Sequence, residues 1–153
     1  MSRSLLLLLL FGSQMLAAQE ISPLGEQDIA ALNAQRQLVQ YFLPAGDHST
    51  VPSKLGALRA LLDARQFRLD QTYELQAMGV VLGDVFVQEL EFKWVMVSDE
   101  YGRDPALQYQ NSSLLLFPLT MISKRIESGE TVDVFTLYNG IADHTRQRIQ
   151  ALQ

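Results

Sequence analysis

Residues 78–97 read Met-Gly-Val-Val-Leu-Gly-Asp-Val-Phe-Val-Gln-Glu-Leu-Glu-Phe-Lys-Trp-Val-Met-Val, and two periodicities meet inside this stretch. From Met78 to Val87 apolar residues cover most of a helical circumference, which predicts a helix buried on several sides. It extends over about Gln71 to Leu90, with Asp70 as its cap. From Glu91 the period falls to two: Phe92, Trp94 and Met96 point one way, Val95 and Val97 the other, so a strand begins. Gly79 and Gly83 are four apart and share one helix face. Each costs about 1 kcal/mol relative to alanine in a helix, so the pair predicts a packing groove for another element.

Beyond this core the chain turns at Asp99–Pro105, and Ala106–Gln110 reads as a returning strand with Leu107 and Tyr109 on the inner face. Asn111-Ser112-Ser113 turns again into Leu114–Phe117, which Pro118 closes. Three neighbouring strands with short connections make an antiparallel meander. A short helix follows over Met121–Ser128, with Thr120 as cap and Gly129 at its end. Asp133 caps a last helix whose stripe is Val134, Leu137, Tyr138, Ile141, Ile149 and Leu152. On the N-terminal side, residues 19–25 read as irregular, and Glu26–Leu43 as a helix with Ile29, Leu32, Val39, Phe42 and Leu43 inward. Pro44–Pro52 is a loop, and Leu55, Leu58, Leu61 and Leu62 mark a second helix reaching Arg65 to Phe67. The expected architecture is α+β: N-terminal helices, a three-stranded antiparallel meander and C-terminal helices, in one domain over residues 19–153.

Residues 1–18 combine a basic start at Arg3, an apolar run from Leu5 to Phe11 and the small-residue end Ala17-Ala18. This is the layout of a cleaved secretory signal peptide. The run is broken by Gly12, Ser13 and Gln14, well short of the ~20 apolar residues of a membrane span. The expected mature form is therefore periplasmic or secreted, with no stable span.

At 153 residues, 48% hydrophobic and 19% charged, the chain has material for one core and too little charge for a disordered tail. The net charge of -5, with no basic cluster, argues against nucleic acid as a partner. Absence of cysteine excludes disulfides, thiolate nucleophiles and sulfur-ligated zinc. His48 and His144 lie near no nucleophile motif, and Gly79-Val-Val-Leu-Gly83 sits inside a helix whose amides are already bonded, so it cannot cradle phosphate. No catalytic residue, metal site or cofactor is assigned.

The candidate ligand-binding residues are Asp84, Trp94, Asp99, Glu100, Tyr101, Arg103, Lys124 and Arg125. Asp84 interrupts an apolar run, where an unpaired carboxylate is expensive. It must pair with Lys93, Lys124, Arg125 or the Trp94 indole, or else serve as an acid/base with a raised pKa. The turn Asp99–Asp104 gathers three carboxylates, but its spacing is not that of a calcium loop, and Gly102 suits a hairpin connection with positive φ. Lys124 and Arg125 offer a basic edge for an anion or an acidic partner.

The segments Gly83-Asp84-Val85, Trp94-Val-Met-Val-Ser-Asp-Glu-Tyr-Gly102 and Phe117-Pro-Leu-Thr-Met-Ile-Ser-Lys-Arg125, in this order and spacing, resemble a family of bacterial domains, Domain of Unknown Function 3806, over about residues 70–150. The resemblance implies a compact α+β domain and brings no reaction, cofactor or partner. The leading expectation is an exported, non-enzymatic binding module that docks a protein or small polar ligand in the cell envelope. The alternatives are a small hydrolase-like enzyme with Asp84 as acid/base, and a structural subunit of an envelope assembly.

Overall fold

The computed structural model describes residues 19–153; the leader expected over 1–18 lies outside them. Helix α3 (Thr72–Leu90) is the axis of the molecule. Its residues Leu75, Met78, Val80, Leu82, Val85 and Phe86 are all buried, as an apolar circumference demands. Around it pack α1 (Glu26–Phe42), α2 (Val51–Asp63), α4 (Leu119–Glu127) and one face of an antiparallel sheet, while α5 (Val134–Gln150) closes on α2 and α3. The order of elements is β1-α1-α2-α3-β2-β3-β4-α4-α5.

The chain passes from α3 into β2 (Phe92–Asp99) through one residue, Glu91, held in the left-handed region at φ 59°. Such a backbone costs a non-glycine residue ~1 kcal/mol, but it reverses direction within a single step. β2 then runs back along the helix. Seven helical residues rise ~10 Å and three strand residues cover about the same distance, so Trp94 comes level with Gly83. Both glycines serve the predicted groove: a Cβ on Gly79 would lie 2.5 Å from the Pro118 carbonyl oxygen, and one on Gly83 would lie 2.5 Å from Trp94 Cζ2.

The sheet has four strands in the order β1-β2-β3-β4, one more than the expected meander. The addition is β1 (Glu20–Ser22), which pairs with β2 through Ile21 opposite Val97. Its three residues are too few to show a period, which is why residues 19–25 read as irregular. β3 (Gly102–Tyr109) is longer than expected, and the connector shrinks to Glu100-Tyr101. The Tyr101 N–H donates to Asp99 Oδ1 at 2.8 Å, and Gly102 takes φ 145°, a region open to glycine.

Pro105 therefore lies within a strand, opposite Met96. The Tyr109 N–H donates to the Leu114 carbonyl across to β4 (Leu115–Leu116), so by alternation Leu107 and Pro105 direct their backbone groups to the same side. β4 stops opposite Leu107, leaving Pro105 on an open edge where a missing N–H breaks no bond and discourages further pairing. Phe92, Trp94, Leu107 and Tyr109 face the helices. Val95, Val97 and Ala106 form a separate buried cluster with Leu115 on the other face.

Helix ends differ from expectation at several points. Gln71, not Asp70, is the N-cap of α3; Asp70 instead accepts from Arg68. α4 begins at Leu119 on Pro118 without a side-chain cap, whereas the Asp133 cap of α5 is present, accepting from the Thr136 N–H at 2.8 Å. α2 stops at Asp63 rather than near Phe67, and it starts at Val51, with Thr50 capping through Ser53. Ile29 in α1 and Leu152 beyond α5 are exposed, while Gln35 and Thr145 occupy buried positions on α1 and α5.

Candidate functional site

Asp84 points from the middle of α3 toward α1 and β2. Its Oδ2 accepts from Arg36 Nε at 2.7 Å and its Oδ1 from Arg36 Nη2 at 2.8 Å, while the Trp94 indole N–H reaches Oδ1 at 3.0 Å. Three donors therefore satisfy the carboxylate, two of them in the parallel fork that a planar guanidinium makes with a carboxylate. The Asn33 side-chain oxygen takes a further Arg36 hydrogen at 2.8 Å. Hydrogen bonding to Asp84 raises the Arg36 pKa above its ordinary value. Gly83 makes the clamp possible, because the indole lies where a Cβ would stand.

Of the expected partners of Asp84, the Trp94 indole is present and the three cations are not. Lys93 faces the opposite side of the sheet and donates to Asn111 at 2.9 Å. Lys124 is exposed, and Arg125 folds back so that its Nη1 donates to the Met121 carbonyl at 2.7 Å. Arg36, 48 residues upstream, supplies the charge instead. It stands four residues after Leu32 and three before Val39, on the inward face of α1. That helical spacing of a cation among core positions was the available signal for it.

The remaining candidates do not join this clamp. The hairpin turn of Asp99, Glu100 and Tyr101 lies at the far end of β2, five residues and roughly 16 Å from Trp94. Tyr101 is 89% exposed there. Arg103 does not serve this turn: its Nη1 and Nη2 donate to the two carboxylate oxygens of Asp28 at 2.6 and 2.7 Å. Asp28 Oδ2 also accepts from the Gly25 N–H at the start of α1. Together, first through the Arg103 hydrogen bonds and then through Gly25, these lower the Asp28 pKa from 3.8 to about 2. Two Arg–Asp forks thus fasten α1, one to α3 and one to β3.

A concavity lies elsewhere, among residues not expected to form a site. A cleft of about 650 Å³ opens between the connector after α2 and the connector after α4. Leu61, Phe67, Leu75 and Met78 form its floor, and Arg65, Arg68 and Glu130 stand at its walls. No single run of sequence contains it. Among the described residues there is no cluster of three or more metal-ligating side chains, and no helix is long and apolar enough to cross a membrane.

The family model of a domain of unknown function, DUF3806, matches residues 54–138. The chain belongs to this family. The DUF3806 match begins within α2, upstream of the expected limit near residue 70, and stops within α5 before residue 150. It contains the cleft, Asp84 and Trp94, while Arg36 and Asp28 lie outside it. A crystal structure from Bacteroides thetaiotaomicron VPI-5482 shares the fold at a TM-score of 0.71 with 18% sequence identity, covering 84% of this chain and 49% of that one. The chain thus spans about half the length of that structural neighbour. No curated protein matches its sequence.

Proposed function

We propose that this DUF3806 chain is an exported binding module of the cell envelope, periplasmic or secreted, and that it does not act as an enzyme through Asp84. The observation that supports this reading is the Arg36–Asp84–Trp94 clamp. A general acid or base must exchange a proton with a substrate atom within hydrogen-bond reach. Asp84 already accepts from three donors, two from Arg36 and one from Trp94, so both carboxylate oxygens are engaged within the fold rather than offered to a substrate. Export rests on the leader pattern of residues 1–18. Its partner is a protein or a small polar ligand, and the groups free to meet one include the exposed Tyr101, Glu100 and Lys124.

The test is mass spectrometry of the protein recovered from its native host, under denaturing and native conditions. A chain beginning at Gln19, with an additional bound mass released unchanged, is expected. A product that keeps Met1 and stays in the cytosol would remove the export reading. Turnover of a compound from envelope extract that disappears in a folded Asp84→Asn variant would establish the hydrolase-like alternative instead.

A further inference from the structure

We infer that the cleft between the α2–α3 and α4–α5 connectors is a binding site for a short apolar peptide with free termini. The inference rests on the binding-module reading and places a different ligand, apolar with charged ends, in the cleft rather than at Tyr101, Glu100 and Lys124. At about 650 Å³ the cleft falls within the ~300–1,000 Å³ of small-ligand sites. Its floor is apolar: Leu61, Phe67, Leu75 and Met78 keep between 1 and 7% of their surface exposed. The charges on its walls then decide which apolar ligand fits. Arg68 is held by Asp70 at 3.0 Å, and Asp63 lies 3.6 Å from Arg59. That leaves Arg65 on one connector and Glu130 on the other with no ion-pair partner among the described residues.

Glu130 Oε1 accepts from the Ser128 hydroxyl at 3.0 Å, which leaves its charge unneutralised, so one unpaired cation and one unpaired anion beside an apolar floor complement a ligand that carries both charges. The carboxylate of a peptide meets Arg65, its ammonium meets Glu130, and its side chains rest on the floor. A fatty acid would answer Arg65 and leave Glu130 facing hydrocarbon; an apolar cation would do the reverse. A peptide fits better than a single amino acid because the apolar surface continues outward. The Phe67 ring meets Phe42 edge to face at 5.2 Å, and Phe42 meets Tyr41, 82% exposed, at 5.1 Å.

The experiment is titration of the purified protein with tri-leucine, its N-acetyl form and its C-terminal amide, followed by calorimetry and amide NMR shifts. Saturable binding of free tri-leucine is expected, with shifts at Phe67, Met78 and Gly129–Val132. Amidation should weaken binding about tenfold in the parent protein and have no further effect in Arg65→Ala; acetylation should behave likewise against Glu130→Gln. Both substitutions are at exposed positions, so the fold is retained. Absence of cleft shifts at millimolar peptide, equal binding of the capped forms, or tighter binding of dodecanoate would overturn the site. Cleavage of peptide bound in the cleft would keep the site and refute the non-enzymatic reading. An unchanged co-purified ligand bound away from an unresponsive cleft would do the opposite.

Discussion

Asp84 and Arg36 sit at 21% and 32% side-chain exposure, between the buried ion pair that fails badly when halved and the surface pair that hardly matters. Hydrogen bonds to a charged group contribute about 1.5–3 kcal/mol, so Asp84→Ala should destabilise the fold by about 2 kcal/mol. Arg36→Ala should cost a similar amount, and the double variant clearly less than the sum, because the second deletion removes a group the first had already orphaned. Urea unfolding of the four proteins measures this; strict additivity would mean that the fork is not energetically coupled. Asp28 offers a separate check in pH. Its folded pKa of about 2 lies below the ordinary 3.8, so the stabilisation it provides is complete above 3.8 and disappears as pH falls from there toward 2. NMR titration of the Asp28 carboxyl should give a midpoint near 2, returning toward 3.8 in Arg103→Ala, whose melting temperature should fall less steeply across that window.

At the scale of elements, the close approach of α3 to α4 and β2 is set by two missing side chains. A Cβ at position 79 meets backbone atoms of Pro118 and Leu119, which cannot swing aside, and one at 83 meets the Trp94 ring and Pro118. Gly79→Ala and Gly83→Ala should therefore each lose about 1–3 kcal/mol through overpacking, more than the ~1 kcal/mol gained in helix propensity. Gly83→Ala should also shift the Trp94 fluorescence as the indole leaves Asp84. Gly56 and Gly140 are the internal control: both are helical, and a Cβ at either meets nothing within 4 Å. Alanine at these two positions should stabilise by about 0.5–1 kcal/mol in thermal melts. Opposite signs for the two pairs of substitutions separate tertiary packing from propensity, and equal signs would refute the groove.

For the whole molecule, the family match and the folded unit have different limits. Residues 54–138 omit α1, with its cation for Asp84 and its acceptor for Arg103, and the last turns of α5, which carry the buried Ala142 and Thr145. Expressed alone, that segment would leave Asp84 without its charge and one side of α3 open to water. It should show no cooperative thermal transition, while residues 19–153 melt as one unit; calorimetry of the two decides, and a cooperative melt of the shorter segment would show that α1 is dispensable.

The α+β class, the central helix and its glycine groove, the paired inner and outer faces of β2, the Asp133 cap and the Gly102 turn could all be read from the sequence. Each depends on residues within a few positions of one another, where period, cap or φ acts locally. The Trp94 contact of Asp84 was legible for the same reason, since ten residues of helix and strand fold back through Glu91. The identity of its cation was not. Arg36 and Asp84 are brought together by the packing of α1 on α3, as Arg103 and Asp28 are by the sheet beneath α1. The cleft likewise exists only where two connectors, more than sixty residues apart at Arg65 and Glu130, converge over α3. Local chemistry determined the elements of this protein. Which charges meet, and where a ligand finds room, was decided by distances between elements that no sequence period encodes.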